Sequence, residues 1–333
     1  MFLPEKVTAS LSSRYSDSSV SLIDSGLKRI FIIYLKEQTY DLAKLVEKIP
    51  QIVDKIESEE YTSSRKRLIN CLIQVLAREG EDRWASELMN KFYEISKIHQ
   101  ENYIYKEPDS KRYAPLEMLH QRRQYSLPKQ KDLLISLYAY LPALRGQDYG
   151  NTRLVKLPEG TDLLSKYQEL GYNFLDLTTK TIVLGQYKTV KSYGLRVIRL
   201  PEIMRKILNN SLGDRRDGYL FLNKRGVNFS DRGFCGYVSD TFDNQCGVKM
   251  GIDELRKVYI SEVLGYLNRK EFGISEQKYY RTKISQIQAH CLNTQEFLYS
   301  GHKFNSSLPV SSDEYMKMIL GIIDEIEVSF HKV

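Results

Sequence analysis

Residues 173–202 read NFLDLTTKTIVLGQYKTVKSYGLRVIRLPE. Apolar and polar side chains alternate along 173–189 and again along 194–202, and β-branched residues are frequent. That two-residue period predicts a small antiparallel sheet. The segments around it keep a different period. Residues 129–145, 202–212, 233–245 and 252–267 place apolar residues three and four apart, as helices do. The second half of the chain is therefore expected to be mixed and mainly α, with the sheet set among helices.

The first hundred residues carry the helical period alone. Helices are expected over 21–38, 40–58, 62–79 and 81–100, with Pro50 kinking or breaking the second. Trp84 on the fourth reads as a core residue. Residues 1–18 are Ser-rich and are expected to be a flexible N-terminus. A helical domain follows over 19–105. Residues 106–127 lose the periodicity and contain two prolines, which predicts a linker. The mixed domain is expected over 128–310, and a terminal helix over 311–333. On that helix Tyr315, Met318, Ile319, Ile322 and Ile326 share one face.

With 333 residues, 42% hydrophobic and 27% charged, the chain is neither disordered, collagen-like nor a membrane bundle. No apolar run approaches the roughly 20 residues of a membrane helix. The N-terminus has no signal-peptide pattern, so an intracellular protein is expected. The four cysteines, at 71, 235, 246 and 291, are scattered, and the five histidines lack ligand spacing. Free thiols and no metal site are expected. The net charge of +7 is concentrated: residues 101–250 hold 24 basic against 16 acidic groups, while residues 1–100 hold 15 of each. A basic middle segment suits a polyanion such as nucleic acid.

Several local strings carry chemistry only in combination. LRGQDY sets Arg145 and Asp148 three residues apart, which alone is an ordinary ion pair. QYKTVK sets Lys188 and Lys191 at the hairpin tip, where lysines are usually just solvated. ELRKVYIS carries Arg256, and AHCLNTQEFLY places His290 nine residues before Tyr299. Taken in order, Arg145, Lys188, Arg256, His290 and Tyr299 resemble the active-site boxes of the tyrosine recombinase (phage-integrase-like) family. The resemblance spans most of residues 20–300, and the order of a helical core-binding domain before a mixed catalytic domain also fits.

This resemblance implies a site-specific recombinase or integrase that breaks and rejoins DNA through a 3′-phosphotyrosine, without metal, ATP or other cofactor. Tyr299 would be the nucleophile and Lys188 the general acid. Arg145, Arg256 and His290 would hold the phosphate oxygens, with Asp148 orienting Arg145. The family's His-x-x-Arg box stands here as Asp253-Glu254-Leu255-Arg256, and Asp253 can accept a proton but cannot be a cation. A type IB topoisomerase and a DNA-binding relative that has lost catalysis are the alternatives. His302 with Tyr315 is a second, poorer match to the last box, because its spacing is 13 residues.

Double-stranded DNA is the expected partner, with no membrane. Phosphate contacts are expected from Arg65, Lys66 and Arg67 at a helix start, from Arg122 and Arg123 in the linker, and from Lys191 and Arg196 flanking the hairpin. The resemblance further implies a homo-tetramer on DNA, with the terminal helix docking into a neighbouring copy. A composition rich in Ile, Lys, Tyr and Asn suits an AT-rich viral or mobile-element genome.

Overall fold

A computed structural model describes residues 2–104, 113–123, 127–270, 272–289 and 310–332, and for 99–104 the backbone alone. The chain divides into two compact units, Met1–Tyr103 and Ile104–Val333.

The first unit is helical: α1 (Glu5–Ser12), α2 (Asp17–Arg29) running into a π-helical turn at Ile30–Leu35, α3 (Leu42–Glu47), α4 (Ile49–Glu57), α5 (Thr62–Leu76) and α6 (Asp82–Ile104). Its centre is α5, where Leu68, Ile69, Cys71, Leu72, Ile73, Val75 and Leu76 are all buried. Each such aliphatic side chain contributes about 1.5–3 kcal/mol by leaving water. Gly26 lets α2 approach α5 closely, since a Cβ there would meet the Cys71 Sγ. Pro50 falls in the first turn of α4, where its missing N–H costs nothing, and the chain breaks before it as expected. Trp84 packs against this core. The expected flexible N-terminus is corrected. Val7 and Leu11 bury one face of α1, Leu3 is buried just before it, and the Phe2 and Leu3 N–H groups donate to Asp24 Oδ1 at 2.8 and 2.7 Å.

The second unit is built around α8 (Lys129–Tyr140), which is buried from Leu133 to Tyr140. A helix apolar on all sides belongs in a core. Around it lie α7 (Leu116–Arg122), α9 (Gly146–Gly150), α12 (Glu202–Leu212), α13 (Asp231–Cys246), α14 (Ile252–Arg269) and α15 (Ile274–Gln288). The strands β1 (Arg153–Val155), β2 (Phe174–Asp176), β3 (Thr181–Leu184), β4 (Leu195–Arg199) and β5 (Glu327–His331) form one sheet in that order. The expected β3–β4 pairing is present, with Ile182 opposite Ile198. The sheet is not wholly antiparallel, because β1 and β2 run parallel. The helix α10 (Leu163–Leu170) supplies the crossover that parallel neighbours require.

Two further expectations are corrected. Residues 113–123 are not open linker: Ala114, Leu116 and Leu119 are fully buried in the core of the second unit. The terminal helix, α16 (Asp313–Glu325), is shorter than expected, because Glu327–His331 turn into β5 and pair with β4. Its apolar face is already covered within the chain. Ile319 and Ile323 are fully buried, and the Tyr315 hydroxyl donates to the Ala139 carbonyl at 2.8 Å. A stripe used in this way is not left over for docking into a second copy.

Candidate active site

Arg145 ends the extended stretch after α8 and caps α9. The Asp148 carboxylate, one turn on, accepts its backbone N–H at 3.3 Å. The same Oδ2 accepts from Arg196 Nη2 at 3.0 Å, in a pair whose side chains are 2% and 0% exposed. Arg196 also donates to the Ile287 carbonyl at 2.6 Å, and its guanidinium lies 4.6 Å from the Tyr187 ring centre. It is therefore spent inside the fold, and the expected phosphate contact from Arg196 is corrected. A guanidinium at this depth needs the carboxylate, the carbonyl and the ring to replace its hydration.

The segment carrying Lys188 is fixed at its base. Asn173 is fully buried; its Oδ1 accepts from the Gly185 and Gln186 N–H groups at 2.9 and 2.7 Å, and its Nδ2 donates to the Gln186 carbonyl at 2.9 Å. The Tyr187 hydroxyl donates to the Gly194 carbonyl across the same loop. The loop contains the single-turn helix α11 (Val190–Tyr193) rather than a tight two-strand turn. Gly194 has φ +78°, and a Cβ there would collide with the backbone of His331 on β5. Lys188 and Lys191 stand exposed on this braced loop.

Thr189 joins the pieces. Its Oγ1 accepts from Arg145 Nη1 at 3.4 Å and donates to the Ala289 carbonyl at 3.0 Å. Ala289 closes α15 in the left-handed conformation, with φ +48°. The residue after Arg145 abuts the start of α14, since a Cβ on Gly146 would meet Ile252 Cδ1. One turn into α14, Arg256 is 3% exposed. Its charge acts on Tyr138, as does that of Asp148. The Tyr138 hydroxyl is pushed well above its ordinary range by burial, then by Tyr149, Asp148 and Cys235, while Arg256 opposes them. Asp253 lies exposed in the first turn of α14; burial, then Asp231 and Asp253, raise the Cys235 thiol.

Arg145, the Lys188 loop, the start of α14 and the end of α15 thus converge, although they are far apart in sequence. His290 and Tyr299 lie outside the described residues. The competing nucleophile Tyr315 is inside them. It is 4% exposed, its hydroxyl is committed to Ala139, and burial raises it well above its ordinary value. Nothing in the sequence singles out Thr189, Asn173 or Tyr187, because their partners are distant along the chain.

The other expected phosphate contacts divide. Arg123 is corrected: it pairs with Asp132 at 2.8 Å and donates to the Tyr140 hydroxyl at 2.7 Å, so it braces α7 on α8. Arg122 stays half-buried on α7. In the first unit, Arg65 donates to the Glu59 carbonyl at 2.5 Å, Lys66 lies 5.2 Å from the Phe92 ring centre, and Arg67 is exposed. Among the described residues no helix is long and apolar enough to cross a membrane.

No family model matches the chain, and no curated protein matches it. Among solved structures, a XerA recombinase is similar at 15% identity and a TM-score of 0.37, covering 95% of both chains. An integrase from mycobacterium phage Brujita is similar at 14% identity and a TM-score of 0.31, covering 94% of this chain and 95% of its own. Likeness this distant does not by itself assign an activity.

Proposed function

We propose that the chain is a site-specific DNA recombinase or integrase that cleaves and rejoins strands through a phosphotyrosine. The observation that supports this most is the hydrogen-bond chain from Arg145 through Thr189 to the Ala289 carbonyl. It ties the first arginine, the residue after Lys188 and the residue before His290 to one spot. Such a spot concentrates fixed positive charge, which is what phosphoryl transfer needs most.

In this reading Tyr299 Oη attacks the phosphorus and the bond to the 5′-oxygen breaks. Lys188 gives its proton to the departing 5′-oxygen. Arg145 and Arg256 hold the non-bridging oxygens, whose geometry matches the guanidinium fork. His290 donates to one of the same oxygens. Asp148 acts on Arg145 through its backbone N–H. Rejoining is the reverse, with a 5′-hydroxyl as nucleophile and the phenol as leaving group, so the phosphodiester energy is conserved. Asp253 stands where the resemblance leads one to expect a histidine, and it can take up the phenolic proton.

A type IB topoisomerase shares this chemistry. The observation that keeps it in view is α16, whose apolar face is satisfied within one chain. Among the described residues no contact of that helix requires a second copy. The test uses nicked suicide duplexes drawn from the DNA flanking the chain's own coding sequence. An SDS-resistant protein–DNA adduct in the wild type, absent in Tyr299→Phe, is the expected result. Strand exchange between two duplexes then marks a recombinase, and relaxation of a supercoiled circle alone marks a topoisomerase. DNA binding with no adduct marks a relative without catalysis.

A further inference from the structure

The sheet has a second charged end. β3 leaves for the Lys188 loop at Leu184 and β4 returns from it at Leu195, so Thr181 and Arg199 lie at the opposite end, about 10–13 Å away at strand rise. There an open hollow of about 680 Å³ is lined by Lys180, Arg199, Arg205 and Lys206, with Glu202 as the one acid in its lining. A second hollow of about 220 Å³ adjoins it, adds Lys156 and Arg216, and shares Lys180 and Asn209. Six bases therefore line the two adjoining hollows; Lys206 pairs with Glu202 at 3.1 Å and Arg199 with Glu327 at 3.4 Å, which leaves Lys156, Lys180, Arg205 and Arg216 without an ion pair among the described residues.

Lys180 is set deliberately at the junction. It adopts the left-handed conformation, with φ +57°, at the β2–β3 turn. Asp176 fixes that turn: its carboxylate accepts from the Leu157, Thr178 and Thr179 N–H groups at 3.0–3.2 Å. Burial, and then Arg216, lower the Lys180 ammonium from its ordinary value, with Asp176 opposing them, so Arg216 and Lys180 are close enough to repel. An anion would relieve that repulsion.

The lining also says which anion. Aromatic residues, the usual anchors of a protein partner, are absent from both hollows. Instead threonines and an asparagine stand among the bases, and these with lysine and arginine are the groups that hold a phosphodiester backbone. We propose that this groove is a second nucleic-acid backbone site, holding a stretch of duplex separate from the DNA at Arg145 and Lys188. This goes beyond the strand-cleavage reading, on which it rests only for the first duplex.

The test is uptake of a short labelled duplex by the full chain, read as stoichiometry by sedimentation and as affinity against salt. The wild type is expected to take two duplexes per chain. The variant Lys156→Gln/Lys180→Asn/Arg216→Gln is expected to take one; asparagine is chosen because it tolerates the left-handed conformation. The lost step should account for a slope of log K against log salt of about −2.7, from roughly 0.9 per phosphate contact. Arg216 is exposed, so Arg216→Gln alone cannot act by unfolding; it should flatten that slope by about 0.9. A wild type that takes one duplex, or a triple variant that still takes two, overturns the proposal. Covalent capture on the suicide duplex is scored in parallel. Loss of the second duplex with no capture in any variant keeps the groove and removes the cleavage reading. Capture with unaltered stoichiometry does the reverse.

Discussion

Asp148→Asn is the sharpest perturbation of the site's scaffold. The amide keeps an oxygen for the Arg145 N–H but removes the charge facing Arg196. That guanidinium is 0% exposed, and among the described residues Asp148 is the one carboxylate paired with it. Breaking a buried pair from one side costs about 3–5 kcal/mol, because the remaining charge stays desolvated. For a domain of this size each kcal/mol moves the midpoint by about 2–4 °C, so the second unit should melt roughly 6–20 °C lower. Circular dichroism melts and urea titrations read this directly. Arg196→Met and the double variant complete a cycle, whose coupling should exceed about 1.5 kcal/mol. A loss below about 1 kcal/mol, or additive single effects, would refute the reasoning, since it would mean that Arg196 finds hydration or another partner.

Three further outcomes follow from single contacts. Thr189→Val removes the bridge between Arg145 and Ala289; covalent DNA capture should fall about 10–100-fold while DNA binding holds, and the Ala289 carbonyl left without this donor should cost about 1 kcal/mol in urea. Tyr315→Phe should keep full capture and lose about 1–3 kcal/mol in urea, because the buried Ala139 carbonyl is left without its donor. Glu262 is buried on α14, accepting from the Tyr113 hydroxyl, the Leu116 N–H and the Ser311 hydroxyl. Burial raises its carboxyl from 4.5 to about 6, against the lowering effect of those hydrogen bonds. Between those values the native state holds a proton that the unfolded chain has lost, so stability falls as pH rises through that window and levels off above it. The drop should be about 2 kcal/mol, and Glu262→Gln should flatten it in urea titrations taken from pH 4 to 7.

Where the sequence carried a clear period, the fold was legible. The long helices α2, α4, α5 and α6 of the first unit, α8, α12, α13 and α14 of the second, and the β3–β4 hairpin follow from spacing; α9, α10, α11 and α15 do not. The misses share a cause, which is that a distant partner decides the outcome. In and before α1, Leu3, Val7 and Leu11 stand in a Ser-rich stretch, and only the core they meet makes them a face. The seven residues of α7 are too few to show a period, yet Leu116 and Leu119 are buried by α8 and α14. The apolar stripe of α16 was readable, but not that the chain itself covers it. Arg196 looked like a surface base because its counter-charge, Asp148, lies 48 residues away. The candidate site divides similarly. The ordered boxes suggested Arg145, Lys188 and Arg256, while Thr189 and Asn173, which brace Arg145 and the Lys188 loop, carry no local signature.

The central claim is that Tyr299 becomes covalently attached to DNA. Tryptic digestion of the trapped adduct tests it most directly. Cleavage after Lys283 and Lys303 yields residues 284–303, whose one tyrosine is Tyr299; the next peptide, 304–317, holds Tyr315 alone. After nuclease trimming, mass spectrometry should find the nucleotide phosphate on residues 284–303, on the tyrosine. The same mass on 304–317, or on any other peptide, would contradict the account.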